Sequence, residues 1–272
     1  MITVLFVVSS FIAIAVFQSL TVLGVSDFYS QRTLPMLGET VIEALTVIVL
    51  GIAAFRMRRP LHRIVWALIG VGLLGAMVSD ALWTRSLWIT GQDSLAQGVL
   101  ILHAFEYVAI PAACGIYVSS FRHEVDLTWP LVESAAVAAI GAGLTWILLI
   151  VPVMGEHPKI AATSPQVLLA VLGYPLFIMP TMLVLLTVMR LGRRGLLTSW
   201  LLFAAGLFLV VYGDAGWFWQ QANGVWPPAS LVDFAYMAGH VLIATAGLSF
   251  MQGEPQWLDA PKRSATSDAS GH

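Results

Sequence analysis

The sequence predicts an all-α integral membrane protein, with eight transmembrane helices arranged as two parallel four-helix repeats and both termini inside (N-in/C-in). Three observations predict it: a shortage of charge, a series of apolar stretches of spanning length, and an alternation of basic residues between the joints that connect them. Of the 272 residues 58% are hydrophobic and only 10% are charged, against about 25% charged in an ordinary soluble domain. A soluble chain of this length needs a charged surface. Here lipid takes the place of water around most of the chain.

The first stretch, residues 2–25, has no basic leader and no clear small-residue cleavage site. It is long enough to span, so it reads as a retained helix and not as a cleaved signal. Further stretches follow near 36–55, 64–86, 95–120, 128–154, 165–189, 196–220 and 230–251. Each suits a hydrocarbon core of about 30 Å at a rise of about 1.5 Å per residue. Polar or Pro-containing joints separate them, such as Arg58-Arg59-Pro60 and Trp226-Pro227-Pro228.

Basic residues test the count. The joints after spans 2, 4 and 6, with the tail, hold Arg56, Arg58, Arg59, Arg63, Arg122, Arg190, Arg193, Arg194, Lys262 and Arg263. The joints after spans 1, 3, 5 and 7 hold only Arg32, Arg85 and Lys159. A missed or invented span would scramble this pattern, and the positive-inside rule turns the arginine-rich side to the cytoplasm of a plasma (inner) membrane. One membrane domain is expected over residues 1–251, with halves of about 1–124 and 125–251. Residues 252–272, polar and rich in Ser and Ala, read as a disordered cytoplasmic tail with no soluble output domain.

An internal repeat supports the division. Arg56, Arg59, Trp66, Gly72, Asp80 and Trp83 recur as Arg190, Arg193, Trp200, Gly206, Asp214 and Trp217, each pair separated by 134 residues. Four helices is an even number, so the two halves share one orientation and an axis along the membrane normal. Spans 3 and 7 become partners, as do 4 and 8.

Charge inside the spans is the functional signal. A carboxylate at the centre of a spanning helix costs about 2.5–3.5 kcal/mol on the insertion scale, so each one needs a reason. Span 2 carries Glu39 and Glu43 early, spans 3 and 7 carry Asp80 and Asp214 late, span 4 carries His103 and Glu106, and span 8 carries Asp233 and His240. The predicted orientation puts all eight in the outer half. Glu39/Glu43 and His103/Glu106 stand at i,i+4 and i,i+3, and Asp233, Tyr236 and His240 form one stripe. The expectation is a polar cavity towards the outer side, lined by these nine residues. Each also has a structural reading. Asp80 and Asp214 suit hydrated helix ends, His103 and His240 suit hydrogen-bonded interior positions, and Trp83, Trp88, Trp217 and Trp226 suit an interfacial belt. Glu133 reads as an interfacial carboxylate near the inner end of span 5.

Several chemistries are excluded. With a net charge of −2 and no long basic run, nucleic acid has no electrostatic foothold. The single Cys114 rules out an internal disulfide and any thiolate cluster. Retinal is excluded because its Schiff base needs an intramembrane lysine, and the only lysines are Lys159 and Lys262. His103 and His240 lie on parallel partner spans, so they fit one bis-histidine haem or, with nearby carboxylates, a divalent metal such as zinc, manganese or non-haem iron. No H-E-x-x-H or G-x-S-x-G motif occurs, which leaves enzyme activity without a signature; a metal-dependent intramembrane hydrolase is the remaining enzymatic alternative.

The stretch from Trp200 to Trp217, then Asp233-Phe234-Ala235-Tyr236-Met237-Ala238-Gly239-His240 and the Gly247 region, resembles the eight-helix membrane sensory module of bacterial, especially actinobacterial, signalling proteins. In that family the module commonly precedes diguanylate cyclase, phosphodiesterase or histidine kinase domains. Gly173-Tyr174-Pro175-Leu176 looks like its tyrosine–proline turn, although Phe177-Ile178 stand where the family often has Gly-Asp. The resemblance covers about 165–251 well and the first half weakly. It implies a membrane sensor or accessory subunit that binds a small ligand or ion and signals to a separate cytoplasmic or membrane partner. The alternative is a transporter, with Pro111, Pro175 and Pro180 as hinges and duplicated halves rocking about a midplane site. A scaffold role within a larger membrane complex is also open. The expected surroundings are membrane lipid.

Overall fold

The structure is a computed structural model, and it describes residues 2–24, 28–90, 97–152, 173–223 and 230–259. Among these every regular element is helical. The rods are α1 (Ile2–Gly24), α2 (Phe28–Arg56), α3 (Pro60–Thr90), α4 (Gln97–Ser119), α5 (Thr128–Thr145), α6 (Met179–Arg190), α7 (Arg194–Asn223) and α8 (Leu231–Asp259). A π-helical turn, Trp146–Ile150, follows α5, and another, Tyr174–Ile178, precedes α6. Among the described residues six helices carry a stretch long and apolar enough to cross a membrane, and Leu5–Thr21 and Leu176–Arg190 form shorter apolar helices. The protein is a multi-pass helical membrane protein. Residues 165–172 of the sixth predicted span lie outside the described residues, as does Trp226.

Between apolar helices in lipid there is no hydrophobic drive, so close packing and small residues must hold them. α3 packs on α2 and α4, α7 on α6 and α8, and α2 closes on α8. α1 lies against α2 and α8, and α5 lies on α6 with much of its surface turned outward. The tightest approaches are made by glycine. A Cβ on Gly206 would stand 2.7 Å from the carbonyl oxygen of Gly239, and a Cβ on Gly239 would meet the Gly206 oxygen at the same distance. On α3, a Cβ on Gly72 would meet Ala109 and the Glu106 backbone at 3.1 Å.

Arginines mark one end of the bundle. Arg193 pairs with Glu124 at 3.0 Å and Arg190 with Glu133 at 3.1 Å, joining the α6–α7 turn to α5 and to the turn before it. Asp126, in that same turn outside the spans, accepts the Thr128 N–H at 3.0 Å, which holds its carboxyl below the usual range. At this end α8 does not stop at Met251, where the sequence suggested an irregular tail. It runs helical to Asp259 because Glu254 has partners there. The Glu254 carboxylate accepts the backbone N–H groups of Arg58 and Arg59 and lies 2.8 Å from His62 Nδ1, so it caps the α2–α3 turn. Residues 260–272 lie outside the described residues.

Just inside this end Trp66 and Trp200 stack at 5.8 Å, and Tyr117, Phe203 and Phe250 close around them. All five rings are buried. Towards the opposite end Trp83 and Trp217, read from the sequence as interfacial belt residues, meet edge to face at 4.4 Å, while Trp88 is exposed.

Candidate functional site

The intramembrane acids and histidines gather between α2, α3, α4, α7 and α8, on the far side of the aromatic core from the arginines. Helical spacing accounts for each local pair, and glycine accounts for how closely the helices meet. A Cβ on Gly213 would stand 2.9 Å from Tyr236 Cβ, so the bare glycine lets the tyrosine lie flat on α7. The absent side chain of Gly72 does the same for Glu106 on α4.

Tyr236 is the hub. Its hydroxyl lies 2.8 Å from Glu43 Oε1 and 3.2 Å from Asp80 Oδ2, so one phenol serves two carboxyl groups from two other helices. One turn along α8, His240 Nδ1 lies 3.1 Å from the Tyr236 carbonyl oxygen. A carbonyl only accepts, so Nδ1 carries the proton, and in the neutral ring Nε2 presents a lone pair. Nε2 faces Glu43 Oε1 at 3.7 Å without a hydrogen-bond partner. On α4, His103 Nδ1 stands 3.7 Å from Asp80 Oδ1, and its Nε2 is 3.1 Å from Glu106 Oε1, out of line for a hydrogen bond. One ligand atom from each of His103, Glu106 and Asp214 lies within 4.8 Å of the others. A continuous path therefore runs from His240 through Glu43, Tyr236, Asp80, His103 and Glu106 to Asp214.

The residues of the path lie within 2.8–4.8 Å of their neighbours, buried or half-buried at the end of the bundle opposite the arginines. Glu43, Glu106 and His240 are each no more than 2% exposed. Among the described residues no lysine or arginine forms an ion pair with any of them. Oxygens of Glu39, Glu43, Glu106 and Asp214 are buried without a hydrogen-bond partner. The chemistry on offer is that of a concentrated, uncompensated set of carboxyl groups with two imidazoles, which can take protons or a cation and gives an anion no foothold.

Two predicted site residues stand apart from the path. Asp233 is occupied at the start of α8: its Oδ2 accepts the Ser230 N–H at 3.0 Å, and its own N–H is given to Ser230 Oγ at 3.1 Å. This is a reciprocal capping box, and the S-x-x-D spacing of Ser230 and Asp233 was the signal for it. Glu39 is buried, within electrostatic reach of Asp233, Asp80 and Asp214, and its Oε1 accepts no hydrogen bond. The two histidines taken together as metal ligands part company. His103 sides with Glu106 and Asp214, whereas His240 turns to Glu43. Phe177, noted in the sequence for standing where the sensory module often has Gly, is fully buried with its ring 4.4 Å from that of Tyr107.

Comparison with protein-family models, with characterised proteins and with solved structures finds no match for this chain.

Proposed function

We propose that this chain is an eight-span, N-in/C-in protein of the plasma membrane that binds a cation in the outer half of the bilayer. It passes the bound state inward to a separate signalling partner, as a sensor or accessory subunit. The observation that carries the reading is the path from His240 to Asp214, which gathers carboxyl groups from four helices without a basic side chain to balance them. Groups in file at 2.8–3.7 Å, ending in a trio of ligand atoms within 4.8 Å of one another, suit an ion better than an organic molecule.

The arginine end faces the cytoplasm under the positive-inside rule, which turns the acid–histidine path outward. Equivalent positions of the two halves support the duplication: Trp66 lies on Trp200 and Trp83 on Trp217. Gly72 seats Ala109 as Gly206 seats Ile243, the same pair displaced by the repeat. The likeness of 200–217 and 233–240 to the bacterial sensory module favours a sensing role.

α8 connects the two ends. Tyr236 and His240 stand in the path, and Glu254 holds the α2–α3 turn, eighteen residues from Tyr236 or roughly 27 Å along the helix. A cation held at the His103 end of the path pulls on Asp80 and, through the Tyr236 hydroxyl, on Glu43, and so shifts α8 relative to α2. The Glu254 carboxylate then moves against the amides of Arg58 and Arg59, beside the exposed Arg63. A transporter needs a passage through the inner half. There the rings of Trp66, Tyr117, Trp200, Phe203 and Phe250 lie at centroid separations of 4.9–6.4 Å, which favours sensing over flux.

The test is amide hydrogen exchange on the protein in liposomes, with parallel measurement of ion uptake. Zinc or manganese addition, or acidification, is expected to change protection of residues 55–63 in the native chain. The change is expected to vanish in Asp80→Asn/Glu106→Gln/Asp214→Asn, with no accumulation inside the vesicles. Accumulation above protein-free vesicles overturns the sensor. A protection change indifferent to the triple substitution overturns the site.

A further inference from the structure

We infer that His103, Glu106 and Asp214 form a binding site for a divalent first-row metal ion, with Asp80 as the positioning residue behind His103. The inference rests on the cation reading above and names its cation.

Four features converge. First, the donor set is one imidazole and two carboxylates, which suits zinc, manganese or ferrous iron and disfavours soft-metal chemistry. Second, the spacing fits. Atoms bound at about 2.0–2.2 Å to a common ion stand roughly 3–4 Å apart. His103 Nε2 and Glu106 Oε1 are 3.1 Å apart, and the Asp214 oxygen completes the trio within 4.8 Å. The ion would draw the Asp214 oxygen in from that distance.

Third, the binding atoms are uncommitted while their backs are held. Glu106 is 2% exposed, and its Oε1 has no hydrogen-bond partner; Asp214 Oδ2 is likewise buried and unpartnered. Meanwhile His103 Nδ1 faces Asp80 Oδ1 at 3.7 Å, and Asp80 is itself steadied by the Tyr236 hydroxyl. That separation is too long for a hydrogen bond, but it is the layout of a carboxylate–histidine–metal arrangement, in which the outer carboxylate closes on Nδ1–H and aims Nε2 at the ion. Fourth, the charge balances over the three ligands. Two carboxylates and a neutral imidazole carry −2, so a divalent ion neutralises them and offsets the cost of burying Glu106 and Asp214. The ion would join α4 to α7, and so the first half of the chain to the second.

The experiment uses the full chain, stripped with a chelator and purified in mild detergent. Zinc and manganese binding are measured by calorimetry and by elemental analysis after gel filtration, with cobalt absorption as a direct view of the ligand set. One ion per chain is expected, with cobalt bands of an N/O site. Binding is expected to be lost in His103→Ala, Glu106→Gln and Asp214→Asn, and kept in His240→Ala. Asp80→Asn is expected to weaken it about 10–100-fold without changing the stoichiometry, as an outer carboxylate does. Cobalt spectra of the native chain keep the test decisive if a variant fails to fold, since a spectrum without a nitrogen ligand overturns the site by itself. Binding lost in His240→Ala but kept in His103→Ala overturns the placement. A folded native chain that takes up no metal overturns the inference. In that case the broader reading survives if acidification still alters the α2–α3 turn, and falls with it if nothing does.

Discussion

At the scale of single residues, the buried hydroxyl of Tyr236 does more than any other group to hold the acids together. Tyr236→Phe keeps the ring and removes the hydroxyl that lies against both Glu43 and Asp80, two carboxyl groups that also meet each other. Leaving buried carboxyl oxygens without a partner costs about 1–3 kcal/mol. The variant is expected to lose about that much in denaturant unfolding in detergent, and an unchanged midpoint would show that the hydroxyl is not what steadies the pair. Asp233 belongs to a different class despite its position in the same stripe. Asp233→Asn weakens the capping box with Ser230 and is expected to cost about 1 kcal/mol, with faster amide exchange confined to the first turn of α8. Loss of metal binding in Asp233→Asn would instead return it to the site. The sequence exposed Glu43, Asp80, His103, Glu106, Asp214, Tyr236 and His240 because charge in an apolar helix stands out and helical spacing sorts it onto faces. It hid which histidine meets which acid, because that depends on how each helix is rotated about its axis. Glu254 was hidden for another reason: it lies past the apolar stretch, where composition alone looks like a tail.

At the scale of helices, glycine sets the geometry that the acids depend on. α7 and α8 approach until Gly206 and Gly239 each lie 2.7 Å from where the other's Cβ would sit, and backbone cannot yield as a flexible side chain can. Gly206→Ala is therefore expected to destabilise by about 1–3 kcal/mol through overpacking. Gly115→Ala, on a helix face with nothing within 4 Å of the added carbon, is expected to be neutral or to stabilise by up to about 1 kcal/mol through helix propensity. Equal midpoints for the two variants would mean that the α7–α8 contact is not close. Gly213→Ala probes the link from packing to site, since its added carbon presses on Tyr236 and not on backbone alone. The Gly72/Gly206 match was legible as a repeat, but its purpose was not. Only the packed structure shows each glycine seating the helix that carries Glu106 or His240.

At the scale of the whole molecule, sidedness decides which compartment the acid–histidine path faces, and the chain offers a clean way to read it. Its only cysteine, Cys114, is buried, so Cys114→Ala gives a silent background. Arg58 and Arg122 lie at the arginine end, whereas Arg85 and Trp88 close the opposite end of α3, and all four are exposed. Single cysteines at these four positions are expected to separate under an impermeant maleimide applied to intact cells. Positions 85 and 88 should label from outside, and 58 and 122 only after lysis. The alternation of basic residues predicts this because arginine-rich joints are retained on the cytoplasmic side during insertion. If 58 and 122 label on opposite sides, an odd number of spans lies between them and the two-repeat architecture fails. If all four invert together, the architecture stands but the path from His240 to Asp214 faces the cytoplasmic half. A cation bound there would report on the cell interior, and the Glu254 latch on the α2–α3 turn would signal to the outside.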